Sequence, residues 1–167
     1  MQTAKRLALV ALFALAGSTV LQAQTNNASI NVTATVQQPI NVVGANTLAF
    51  GNVLPGVNST VGVASASAGR FDVTGQANTP VTLSFVLPAS LSDGTNLLPI
   101  GTWTGNHNTT NAPTGTGFTP ANGPATFAAT LDVTNGTLFV FIGATVTPAV
   151  NQPAGAYAGT VQMTVVY

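Results

Sequence analysis

Polar and apolar residues alternate strictly over residues 28–36. Ala28, Ile30, Val32, Ala34 and Val36 fall on one side, and Ser29, Asn31, Thr33 and Thr35 on the other. A repeat of two is the side-chain period of an extended chain, so the segment predicts a strand with one face to bury. Pro39 interrupts this pattern because it has no backbone N–H, and residues 40–43 resume it. Further strands are predicted over 47–50, 60–66 and 70–74, with Leu54, Pro55 and Gly56 as a turn. Residues 80–87 alternate well, with Val81, Leu83 and Phe85 on one face and Thr82 and Ser84 on the other.

The middle of the chain reads differently. Residues 101–124 are rich in Gly, Asn, Thr and Pro, which predicts long loops around at most one weak hairpin. Two strands follow, over 126–133 and 137–147, around Asn135 and Gly136, a pair that favours a hairpin turn. Residues 138–142 are apolar on both faces, which predicts a central strand covered on both sides. In the C-terminal strand, Tyr157, Gly159, Val161, Met163, Val165 and Tyr167 share one face, and Ala158, Thr160, Gln162 and Thr164 the other. A strand of this kind is paired or covered, since an exposed flat edge recruits other chains. No long window after the first 23 residues has helical periodicity. Short strands separated by turn residues predict an all-β fold, a sandwich or a barrel.

The first residues follow another logic. Lys5 and Arg6 precede an apolar run over 7–15, and Leu21, Gln22 and Ala23 end it on a small residue. This is the form of a secretory signal peptide over 1–23, with a domain over 24–167. The run is shorter than the ~20 residues needed to cross a bilayer as a helix.

Charge narrows the chemistry. Only 4% of the 167 residues are charged, while 46% are hydrophobic. Beyond residue 23 there is no Lys, and Arg70 stands against Asp72, Asp93 and Asp132. One cation cannot track a phosphate backbone, so nucleic-acid binding is excluded as a class. There is no Cys and no Glu, so thiolate chemistry is absent and general acid–base groups are nearly so. His107 lies in a Gly-Asn-His-Asn stretch with no carboxylate nearby, a poor metal site. The three Asp residues are too dispersed to supply the oxygens of a calcium site, and Asp93-Gly94 reads as a turn. No cofactor or enzymatic function is expected. Trp103, with His107, marks a ligand loop in an adhesin-like reading; the plainer reading of Trp103 is as a cap on the core.

Three stretches carry a resemblance. They are residues 30–36 followed by 48–53, residues 69–75 (Gly-Arg-Phe-Asp-Val-Thr-Gly), and residues 152–161 leading to Tyr167. Together they resemble secreted pilin-like β-sandwich domains of bacteria, including spore coat protein U, the archaic chaperone–usher pilins and a related domain of unknown function. Those relatives often carry a Cys pair near the first strand, where this chain has Gln37, Gln38 and Pro39. The resemblance implies an immunoglobulin-like antiparallel sandwich at the cell surface, in a fimbrium or in an extracellular matrix, with roles in adhesion and biofilm. It implies other copies or sister subunits as partners, with a periplasmic chaperone and an outer-membrane usher. It also implies assembly by strand exchange. Residues 28–36 have the form of a donor strand, and they fit equally well as the first strand of their own domain. A self-contained secreted binding module and a small outer-membrane barrel are the alternatives.

Overall fold

The computed structural model describes residues 25–123 and 125–167. The expected signal peptide, residues 1–23, lies outside them. The chain divides into a unit ending at Thr35 and a compact unit over Val36–Tyr167. Among the described residues there is no helix, and so none long and apolar enough to cross a membrane.

The compact unit holds ten strands: β1 (Asn41–Asn46), β2 (Ser59–Val61), β3 (Gly69–Thr74), β4 (Pro80–Val86), β5 (Ser90–Ser92), β6 (Leu97–Asn108), β7 (Thr116–Phe118), β8 (Thr126–Thr130), β9 (Thr137–Val146) and β10 (Gln162–Val166). They form two antiparallel sheets. The larger runs β1-β3-β9-β6-β5, with β2 also on β9 and β7 on β6; the smaller runs β10-β4-β8. Both sheets have free edges, so they do not close into a barrel. The fold is an all-β sandwich.

Alternation decides which side chains fill it. Val81, Leu83 and Phe85 of β4 are at most 2% exposed, and they meet Val73 of β3 and Leu138, Val140 and Ile142 of β9 in one core. β9 is the central strand that its two apolar faces predict: β3 and β6 flank it, and Phe141 on its other face is buried as well. At one end of the core, Phe118 stacks on Phe85 at a centroid distance of 5.6 Å and meets Phe127 at a tilt at 4.8 Å.

Four expectations need correction. First, residues 28–36 form no strand, and the side chains of Ile30, Val32 and Val36 are 87%, 88% and 93% exposed. A period of two states which face would be buried but does not supply a partner, and no ladder includes these residues. Second, residues 47–50 are irregular; Leu48 and Phe50 pack inward from a loop. Third, the stretch read as long loops around at most one weak hairpin does hold one hairpin, β6–β7, but it also contains most of β6, the longest strand. Gly105 is a packing device: a Cβ there would lie 2.5 Å from the Phe118 ring. Fourth, Asn135-Gly136 is not a hairpin turn between paired strands, because β8 and β9 belong to different sheets. The turn carries the chain from one sheet to the other. Asp132 organises it by accepting from the N–H groups of Thr134 and Asn135, and Gly136 adopts φ +64°.

Candidate functional site

The site is built from two strands that, among the described residues, are each paired on one side only. β1 bonds along one side to β3, and β10 along one side to β4. Their other edges border a groove of about 380 Å³ lined by Val42, Gly44, Phe71, Val161 and Met163, with Gln162 and Thr164 as its polar side chains. The groove shares Gly44, Phe71 and Val161 with a larger cleft of about 980 Å³, so the two are continuous. The larger cleft lies between the loop after β1 and the segment before β10, with Leu48, Phe50, Leu91, Trp103 and Tyr157 on its walls. Among the described residues no charged side chain lines either part.

Local structure explains how each wall is held. β6 carries a bulge between Gly101 and Thr104, with Thr102 at φ +48°. An extra residue reverses the alternation of a strand. Ile100 before the bulge and Trp103 within it therefore both face inward, and Trp103 touches both core clusters. On the β1 side, the Ala49 N–H donates to the Ser67 carbonyl. Gly69 lets Leu48 approach, since a Cβ there would lie 3.3 Å from the Leu48 Cβ. Opposite, Tyr157 Oη donates to the Pro153 carbonyl and accepts from Gln152 Nε2 at 2.8 Å, while Ala158 and Ser92 exchange backbone bonds.

Beside this wall lies the Asp93 turn. The Asn96 side-chain amide, the Asn96 N–H and the Thr95 N–H donate to the carboxylate, and they hold its pKa at about 2. That is a structural turn, and one Asp with no further acidic neighbour is not a metal centre. Among the described residues no group of three His, Asp or Glu side chains could hold a metal ion.

The other end of the groove is tied shut. Tyr167 Oη accepts from the Gln76 N–H at 2.8 Å and donates to the Gln38 carbonyl. The Gln38 N–H in turn donates to Gln76 Oε1. Gly75 makes the seat for the phenol: a Cβ there would lie 2.8 Å from Tyr167 Oη and 2.9 Å from Leu131 Cδ1. Both backbone polar groups of Gln38, immediately before Pro39, are thereby engaged.

The expected site residues fall in three places. Met163 and Val165 of β10 and Val161 just before it face the core, while Tyr157, expected in the same strand, lies ahead of β10 and faces the cleft. Ala28, Ile30, Val32 and Ala34 precede the compact unit and Val36 begins it; all five are exposed. Trp103 and His107 are not brought into one site. Trp103 lines the cleft from a strand, whereas His107 packs against Phe118 at 6.0 Å, where burial lowers its pKa. Leu48 and Phe50, which sequence places in a strand and in the resemblance but in no site, and the Thr102 bulge complete the cleft. The signal for the first two as site residues is a pair of large apolar side chains in an otherwise small-residue stretch.

No curated protein matches the chain. A family model does: that of a domain of unknown function, DUF4402, matches residues 40–167, from the threshold of β1 to the end of β10 and without residues 28–36. The match covers most of the chain, and the protein belongs to the DUF4402 family.

Proposed function

We propose that this protein is a non-enzymatic, exported structural subunit that assembles into a surface fibre or layer by donating residues 28–36 to another copy. The observation that carries this reading is the exposure of a segment patterned as half a sheet. Ile30, Val32 and Val36 are 87%, 88% and 93% exposed, in a stretch whose apolar side chains all fall on one face when extended. Burying each of these three side chains is worth about 1.5–3 kcal/mol. An added strand also satisfies backbone groups along a sheet edge, which is the basis of β-augmentation.

The uncharged groove between the free edges of β1 and β10, where Val42, Phe71, Val161 and Met163 stand among polar groups, is the complementary surface. Head-to-tail donation generates open chains. The near absence of charge removes the repulsion that keeps ordinary soluble domains apart. The resemblance to secreted pilin-like domains points the same way, with export through the first 23 residues and a chaperone and usher as assembly partners.

A second reading draws on Trp103 and Tyr157 in the larger cleft: a monomeric secreted module that binds an uncharged, largely apolar ligand there. Sedimentation velocity on residues 24–167 separates the two. The strand-donation reading expects an open series of oligomers that lengthens with concentration, and an added peptide of residues 28–36 shortens it by capping free grooves. A single monomer species at every concentration, unaffected by the peptide, refutes it.

A further inference from the structure

We infer that the Tyr167–Gln38 contact acts as a latch that reserves the groove between β1 and β10 for residues 28–36 of a second copy and denies it to the chain's own. This inference rests on the strand-donation reading. β1 begins at the latched end of the groove, because Asn41 pairs with Thr74, next to Gly75 and the seat of Tyr167. For the chain's own residues 28–36 to lie along β1, the backbone would have to reverse between Val36 and Ile40. Three features oppose that reversal. Gln38 precedes a proline, which confines it to extended geometry. Pro39 has its φ fixed and no N–H for a turn. The N–H and carbonyl of Gln38 are both committed, to Gln76 Oε1 and Tyr167 Oη. No residue over 36–40 has a positive φ, whereas tight hairpin turns require one. A strand from another molecule meets none of these obstacles.

Releasing the latch therefore converts an obligate donor into a chain that can complete itself. Tyr167→Phe keeps the ring and removes both hydrogen bonds of the hydroxyl. Pro39→Gly frees the bend without touching Tyr167, and it stands in should the first variant fold poorly. Both are compared with the parent, as residues 24–167, by sedimentation velocity and by hydrogen exchange of the monomer fraction.

The expected result is a monomer fraction raised about tenfold at equal concentration, the scale of one or two lost hydrogen bonds. The amides of residues 28–36 become protected within that monomer. Assembly of both variants indistinguishable from the parent overturns the latch. The double variant Ile30→Ala/Val32→Ala tells the two levels apart. If it weakens assembly while Tyr167→Phe and Pro39→Gly do not, the latch falls and strand donation stands. If it leaves assembly unchanged, strand donation falls and the latch with it.

Discussion

Truncating Ile30 and Val32 to alanine separates folding from assembly, because these side chains are 87% and 88% exposed within the chain. Ile→Ala removes three carbons and Val→Ala two. At about 0.8 kcal/mol per buried CH₂ the pair forfeits about 4 kcal/mol if both side chains are buried in a neighbour. That is roughly a thousandfold in the dissociation constant between subunits. The stability of each subunit should not change, since exposed side chains contribute little to it. The assay is a concentration series by sedimentation velocity, paired with thermal melts followed by circular dichroism at a concentration where both proteins are monomeric. Val150→Ala is the control: Val150 is 88% exposed and lies outside the leader and both parts of the groove, so it should alter neither property. An association midpoint for the double variant within a factor of two of the parent would refute the reasoning. So would an equal effect from Val150→Ala.

Three further outcomes follow from the fold. Leu83→Ala empties a position that is 0% exposed between the two sheets, and it should cost about 2–5 kcal/mol in urea unfolding. Thr102→Gly should raise stability by about 1 kcal/mol, because a β-branched residue at φ +48° carries strain that glycine does not; a lowered melting temperature would count against the strain. Melts across pH should show two separate losses. His107 has its pKa lowered by burial, so its contribution is complete above the ordinary histidine value of 6.5 and is lost as pH falls below it; His107→Gln removes that phase. Asp93 has its pKa lowered to about 2, so its contribution is complete above the ordinary carboxylate value of 3.8 and is lost towards pH 2; Asp93→Asn removes its part of that phase.

Where one face of a strand is buried, sequence legibility was high. Val81, Leu83 and Phe85 declared the inner face of β4, and the two-sided apolar run of β9 declared its central place. β6 was hidden because its packing relies on what is missing. Gly105 is small so that the Phe118 ring can sit over it, and composition alone cannot tell such a glycine from a loop glycine. Asn135-Gly136 gave the correct turn but the wrong topology, since a turn states that the chain reverses and not which sheet receives it. Residues 28–36 announced a face to bury without announcing a partner. The cleft was least legible, because Leu48, Trp103 and Tyr157 lie far apart in the chain and meet only through a bulge, a loop and a hydrogen-bonded segment.

The single guanidinium beyond residue 23 has a consequence of its own. Beyond residue 23 the chain offers a protease of trypsin-like specificity one peptide bond, that after Arg70. Arg70 sits within β3, laddered to β1 on one side and β9 on the other, with its side chain held by Asp72 at 2.7 Å and by Asn111. Such an enzyme must draw its substrate into its own cleft as a free extended chain, and this stretch of backbone is already paired on both sides. A surface with so few charges thus leaves cation-directed proteolysis almost no point of attack beyond residue 23 while the sheet is intact.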